Sequence, residues 1–362
     1  MCFNGISYGA KAGHGQRCTI PAIIVNITSS ETEKMPEKGG GMAAGHRRAE
    51  FDVTNRVNTT DPVSVSFHVA QIYESLYPHE FPSGVLRVFA DVGRLYRGDF
   101  PGYHPCETGY HDIQHVLEVT LAMARLMEGC ARTTGPAVIK ESLFLTGIVS
   151  ALFHDIGCLR RLDDTDKQHG AEYISIRVGR GVDFMRWYLP FVGLGDLMDA
   201  ATGIVHFTGY EIPVNQIPVD PQYRMLGNLL GSADILAQMA DRCYLEKCRD
   251  RLYPELVLGG IAREKHLQSD GQQGKAQQRG KEQPLFATPE ELIFKTPDFF
   301  KNAHRRLVQD LGGVFRYIDG HSDGRDFYYT EVCKNIEYAL TVADAGDLSL
   351  LRRSPPGQMY QS

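Results

Sequence analysis

Residues 140–157 read Lys-Glu-Ser-Leu-Phe-Leu-Thr-Gly-Ile-Val-Ser-Ala-Leu-Phe-His-Asp-Ile-Gly, and their reading decides the fold. Leu143, Phe144, Leu145, Ile148, Val149, Ala151, Leu152 and Phe153 leave no polar stripe on a 3.6-residue period. A helix that is apolar all round is a buried, central one. Gly157 is expected to stop it directly after His154-Asp155-Ile156. A charged pair at the end of such a helix is costly unless hydrogen bonds satisfy it or a cation is bound there.

The same period continues outward in both directions. Residues 115–128 place apolar side chains at 116, 117, 119, 121, 124 and 127, with Gly129 at the expected C-terminal cap. Val65, Phe67, Val69, Ile72 and Tyr73 predict a first helix, and residues 85–96 a second. Further helices are expected over 167–180, 196–208, 224–252, 297–318 and 328–343. Strand-like alternation is scarce. The expectation is an all-α fold, one packed helical bundle spanning residues 62–345, with its chemistry between 104 and 255.

Three segments fall outside that bundle. Residues 1–60, dominated by Gly, Ser, Thr and Lys, are expected to form a mobile arm. The Lys38-Gly39-Gly40-Gly41 run before Met42 raises the further expectation that translation starts at Met42. Residues 263–284, rich in Gln, Gly and Lys, read as a flexible surface insertion, and residues 346–362 as a short polar tail.

Composition narrows the function classes. Hydrophobic residues make up 43% and charged residues 23% of 362, the profile of a globular protein. A net charge of −6 argues against general nucleic-acid binding. No stretch approaches the roughly 18–20 apolar residues that span a bilayer, and the cytoplasm is the expected location. Eight cysteines without a C-x-x-C pair imply reduced thiols rather than disulfides or a cysteine-built zinc site.

Six side chains then stand out as metal ligands: His115, His154 with Asp155, His169, His206 and Asp234. Histidine supplies nitrogen to transition ions, and aspartate supplies an anionic oxygen that can bridge two of them. Asp155, beside one histidine and the most central of the set, is the natural bridge. Asp234 lies within Leu229-Leu230-Gly231-Ser232-Ala233-Asp234-Ile235-Leu236-Ala237, where an unpaired carboxylate would cost several kcal/mol. Its competing role is an ion pair with Arg224 or Arg242. For His169 and His206 the competing role is an ordinary helix-terminal histidine.

Tyr110-His111-Asp112-Ile113-Gln114-His115, Leu152-Phe153-His154-Asp155-Ile156-Gly157 and Asp234 together resemble the HD superfamily of metal-dependent phosphohydrolases. The first segment is similar to the opening Tyr-His-Asn-x-x-His of the cyclic-nucleotide phosphodiesterases, with Asp112 in place of Asn. The second is similar to the His-Asp-Ile-Gly of the bacterial HD-GYP branch, although no Gly-Tyr-Pro motif is present. The resemblance spans roughly residues 65–255. It implies an HD-type helical domain in which His115, His154, Asp155 and Asp234 bind a first metal. His169 and His206 match the additional ligands of members with two metals, Asp155 bridging.

Two divalent ions (Fe, Mn, Zn or Mg) would activate a water for attack on phosphorus. His111, outside the ligand set, is the expected general acid for the leaving alkoxide, with Asp112 to orient it. Arg160 and Arg161 are candidate phosphate clamps, and Gln238 a candidate contact to a base or hydroxyl. The expected activity is hydrolysis of a phosphodiester of a (cyclic) nucleotide. Alternatives are a nucleotide monoester phosphohydrolase, a diiron oxygenase related to the HD domain, and a non-catalytic nucleotide-binding module.

Overall fold

The computed structural model describes residues 47–262, 286–321 and 327–357, and among them the regular structure is helical. The only extended pairings among the described residues are isolated bridges, Phe51 to Asn58 and Tyr103 to Arg161. The helices are α1 (Pro62–Leu76), α2 (Ser83–Arg97), α3 (Ile113–Thr134), α4 (Glu141–Phe153), α5 (Arg177–Phe191), α6 (Met198–Ile204) and α7 (Pro221–Ala240). They continue as α8 (Tyr244–Lys247), α9 (Tyr253–Leu258), α10 (Pro289–Phe294), α11 (Thr296–Arg305), α12 (Ile318–His321) and α13 (Phe327–Ala345). The all-α expectation holds. No helix among the described residues is long and apolar enough to cross a membrane.

Local chemistry sets where the long helices begin. Asp61 accepts from the Val63 and Ser64 amides ahead of α1, with Pro62 in its first turn. Asp112 accepts from the His115 amide ahead of α3, and Asp220 from the Gln222 amide ahead of α7. These caps settle rotation as well as position. In α3 the cap places His115 in the first turn, facing the core.

α3 is as central as α4. It packs on α1, α4, α7 and α12, and its residues from Ile113 to Ala131 are buried with the exception of Glu118. α4 lies against α2, α3, α6 and α7. At its end, Phe153 packs against Phe184 and Tyr188 of α5, with ring centroids 5.1 and 5.2 Å apart. This aromatic wedge fixes where His154 and Asp155 emerge. Cutting Phe153 to Ala would cost about 3–5 kcal/mol.

Several boundaries differ from expectation for identifiable reasons. Gly157 does not cap α4, whose C-cap is His154. Its Cα instead faces the Arg177 carbonyl, and a Cβ there would come within 1.9 Å of that oxygen. The glycine is a point of close approach between the two chain segments. The helix expected over 167–180 begins instead as a 3-10 segment, Gly170–Ile176, and becomes α-helical at Arg177. The helix expected over 224–252 breaks after Ala240, because Asp241 accepts from the Cys243 amide and pairs with Lys247 at 2.7 Å. The helix expected over 297–318 is interrupted by Gly312 and Gly313, with φ of 68° and 70°, a conformation glycine adopts without strain.

The edges are also corrected. Residues 47–60 do not belong to the mobile arm expected over residues 1–60. Residues 47–60 pack on the bundle with Val57 and Thr59 buried, and the Asp52 carboxylate reaches Arg125 of α3 at 2.6 Å. The remainder of that arm, Met42 and the insertion at 263–284 lie outside the described residues. Part of the expected tail packs too: Leu351 is buried, and Arg353 donates to Asn335 of α13 at 2.6 Å. Cys106, Cys130, Cys158, Cys243 and Cys248 are buried thiols.

Candidate metal centre

Three elements deliver the ligands to one point: the first turn of α3 brings His115, the end of α4 brings His154 and Asp155, and the middle of α7 brings Asp234. All four are buried. His154 Nε2 lies 3.0 Å from Asp155 Oδ2 and 3.2 Å from His115 Nε2. His115 Nε2 in turn lies 3.3 Å from Asp155 Oδ2 and 3.5 Å from Asp234 Oδ1.

Those separations fit a cation. A tetrahedral ion with N and O ligands at about 2.0–2.1 Å keeps its ligand atoms about 3.3–3.4 Å apart. The tautomer fits as well. His154 Nδ1 sits 2.8 Å from the Ala151 carbonyl oxygen, an acceptor only, so Nδ1 carries the proton and neutral His154 presents a bare Nε2 to the cluster. Gln238 Nε2 donates to Asp234 Oδ1 at 2.7 Å and orients that carboxylate from one turn along α7. The competing partner of Asp234 is excluded for Arg224, whose guanidinium donates to the Val214 and Ile217 carbonyls.

Electrostatics mark the same point. Burial alone would raise the Asp155 carboxyl, but His154 and Arg177 hold it well below the usual carboxylate range. Burial alone would lower His154, and the Asp155 charge more than offsets this, raising the imidazole to about 9. An imidazolium and a carboxylate in contact are the protonated form of a ligand pair. An incoming cation exchanges with that proton.

The two other expected ligands do not join this cluster. Among the described residues, the group of possible ligand atoms drawn together is that of His115, His154 and Asp155, with Asp234 alongside through His115. His169 Nδ1 accepts from the Ala171 amide at 3.1 Å, and the Glu172 carboxylate accepts from the His169 amide, a reciprocal cap on the 3-10 segment. In the neutral ring that leaves Nε2 protonated. His206 is half-buried within the 3-10 turn Val205–Thr208, and the charges acting on it come from Glu211 and Arg186. Burial pushes its imidazole down.

His111 lies beside the cluster, its ring centroid 5.9 Å from that of His115. It stands outside α3, one residue before the cap. Asp112, expected to orient it, is committed to the His115 amide and to Arg251 at 3.3 Å. The orienting group is Glu255 of α9, whose Oε2 lies 2.6 Å from His111 Nδ1. Glu255 also accepts from the His111 and Tyr110 amides. Burial opposes the charge on His111, yet Glu255 outweighs it and the imidazole is raised.

Sequence reasoning missed two residues, Glu255 and Arg177. Arg177 Nε sits 2.7 Å from Asp155 Oδ1, the oxygen turned away from the histidines. Arg177 was legible as a lone charge in Ile174-Ser175-Ile176-Arg177-Val178, whereas nothing local singled out Glu255.

The expected substrate contacts sit elsewhere. Arg160 is paired with Glu107 through two hydrogen bonds of 2.7 and 3.1 Å, and Glu107 also accepts from the Gly170 amide. Arg161 is exposed, pairs with Asp163 at 2.8 Å, and lines an open groove of about 560 Å³ with Tyr103, Leu162, Arg180, Phe184 and Trp187. None of the cluster residues lines that groove. Gln238, expected to read a substrate, gives an amide hydrogen to Asp234 and accepts a 3.4 Å contact from the Tyr110 hydroxyl.

No protein-family model matches the chain, and no curated protein or solved structure matches it significantly.

Proposed function

We propose that this protein is a metal-dependent phosphoester hydrolase of the HD type, acting on a phosphodiester such as that of a cyclic nucleotide. The observation that carries the reading is the convergence of His115, His154, Asp155 and Asp234 at ligand-to-ligand spacing, beside a histidine held by its own carboxylate. Histidines and carboxylates together suit a divalent transition ion, and His115, His154, Asp155 and Asp234 would hold it. Bound there, such an ion supplies Lewis-acid polarisation of phosphoryl oxygens and acidification of water.

The remaining steps belong to the chain itself. With Nδ1 committed to Glu255, His111 turns Nε2 to the substrate side and delivers a proton from that atom to the departing alkoxide. Glu255 fixes the tautomer and stabilises the imidazolium, the role a carboxylate plays behind a histidine in acid–base dyads generally. Gln238 holds Asp234 in one rotamer, and Ala151 holds His154. Burial of the ligands keeps bulk water from competing for them.

A panel of bis(4-nitrophenyl) phosphate, 4-nitrophenyl phosphate, cyclic AMP and cyclic GMP, run on metal-stripped protein reloaded with Mn, Fe or Zn, tests the proposal. Metal-dependent release from the diesters is expected. Hydrolysis of the monoester alone would turn the assignment to a phosphatase. Oxygen consumption without hydrolysis would turn it to an oxygenase, and no turnover with any ion would sink the enzymatic reading.

A further inference from the structure

We propose that Arg177 occupies the place of a second metal ion, so that the centre holds one ion and a fixed guanidinium in place of an ion pair. The inference rests on the metal-centre reading above and revises the two-ion expectation.

A carboxylate that bridges two ions must offer one oxygen to each. Asp155 offers Oδ2 to His115 and His154, but Oδ1 is held at 2.7 Å by Arg177 Nε. The guanidinium is built into that position from three sides. Its terminal nitrogens reach the Ile174 carbonyl at 3.4 Å and the Thr208 carbonyl at 3.3 Å, and Asp155 closes the third side. Its backbone is held as well: the Arg177 carbonyl lies against Gly157, where any side chain would collide. The glycine two residues after Asp155 therefore admits the residue that neutralises Asp155.

The two histidines that would strengthen a second ion site do not join the ligand group, so an ion beside Asp155 Oδ1 would be held weakly. His169 Nδ1 accepts from Ala171, and His206 lies outside the group of ligand atoms drawn together around Asp155. A divalent ion forced next to Asp155 Oδ1 would have to displace or abut a like charge at contact distance, which is strongly unfavourable in a buried site.

The substitution changes the charge offered to a substrate. One divalent ion and one guanidinium against the Asp155 and Asp234 carboxylates leave a single net positive charge. Two divalent ions against the same carboxylates would leave two. A phosphodiester carries one negative charge and a phosphomonoester close to two at neutral pH, so the centre matches the diester.

Manganese alone is the probe. The full chain, stripped with chelator and dialysed against Mn²⁺, is assayed by elemental analysis and by electron paramagnetic resonance. Wild type is expected to hold one tight ion per chain, with the six-line spectrum of an isolated ion. Arg177→Ala is expected to take up a second, weaker ion whose spectrum shows exchange coupling to the first, and Arg177→Lys to remain at one. If Arg177→Ala does not fold, Arg177→Gln, which keeps bulk and drops charge, serves the same purpose. Two coupled ions in wild type would overturn the inference while leaving the metal centre standing. So would neutral variants that still bind one ion and no more. No tight ion in wild type would overturn the metal-centre reading and this inference with it.

Discussion

Two buried aspartates, one held by the buried Arg125 and the other by the half-buried Arg177, sit in this bundle and have different fates. Asp52 in the N-terminal segment faces Arg125 of α3, and Asp155 at the end of α4 faces Arg177 of α5. Around Asp52 every neighbour is a donor: the Thr54 hydroxyl, the Arg56 and Val57 amides at 2.9 Å each, and the guanidinium. Its carboxyl is lowered to about 2; burial opposes this, but Arg125 and the amides outweigh it. Around Asp155 only Arg177 is a committed donor, and the other oxygen meets two imidazole nitrogens that also meet each other. One pair completes itself, while the other leaves a set of lone pairs pointed at one spot. That difference separates a structural ion pair from the proposed cation site, although both have the same residue types and a buried carboxylate.

Removing the carboxylate on each side should therefore have different consequences, the largest at Asp155. Asp155→Ala is expected to lose the bound ion altogether and to lower hydrolysis on the order of a thousandfold or more, the scale of several kcal/mol of charge stabilisation. It should also leave Arg177 uncompensated, at a cost of about 3–5 kcal/mol in stability. Elemental analysis and thermal unfolding read the two effects separately. Retention of a full equivalent of metal would mean that Asp155 is a second structural aspartate like Asp52.

Next in size is the acid–base dyad. His111→Gln is expected to lower turnover by about 10²–10⁴-fold with metal content unchanged. Glu255→Gln should have a smaller effect on turnover and shift the pH profile of catalysis, because the imidazolium loses its counter-charge. Metal lost from His111→Gln would place His111 among the ligands.

Asp52→Ala is the reciprocal test. Breaking the pair strands Arg125 and should cost about 3–5 kcal/mol, seen as a lower Tm with metal content and the activity of the folded protein intact. The acid limb of stability tests the same pair. Because the folded value of Asp52, about 2, lies below the ordinary 3.8, its contribution is complete above pH 3.8 and is lost as pH falls through 2. The span corresponds to about 2 kcal/mol. Asp52→Asn should flatten stability between pH 4 and 2 relative to wild type, and an unchanged acid limb would contradict the pairing.

How much of this was legible in the sequence follows from the range of the forces involved. Apolar periodicity in residues 115–128 and an apolar run with no polar stripe over 140–153 predicted the two helices at the centre, because burial on one face repeats with helical pitch and burial on all faces erases it. His115, His154, Asp155 and Asp234 were legible because charge within apolar runs is costly without a partner. The pairing of their immediate neighbours with them was not. Arg177 is 22 residues from Asp155 and Glu255 is 144 from His111, and tertiary packing alone brings them together. His169 and His206 do not join the cluster, and local sequence could not show this: a histidine capping a turn, as His169 does, and a histidine binding a metal have the same local sequence. Residues 47–60 were under-read because their low hydrophobicity hides one buried ion pair, and that pair ties them down.

The smallest expected effect separates the two adjacent arginines. Arg160 and Arg161 have the same chemistry in sequence, but Arg160 holds Glu107, which in turn holds the Gly170 amide at the start of the segment leading to Arg177. Arg161 makes an exposed pair with Asp163, of a kind worth at most about 0.5–1 kcal/mol. Arg161→Ala should therefore leave KM for a phosphodiester within about twofold and Tm nearly unchanged. Arg160→Ala should loosen the Glu107 carboxylate and, through Gly170, the approach of Arg177 to Asp155, with a modest loss of stability rather than of substrate affinity. A tenfold rise in KM for Arg161→Ala would instead show that the substrate reaches the groove beside Trp187, which none of the four ligands lines. The clean comparison between Asp52 and Asp155 would then have to make room for a second polar contact with substrate.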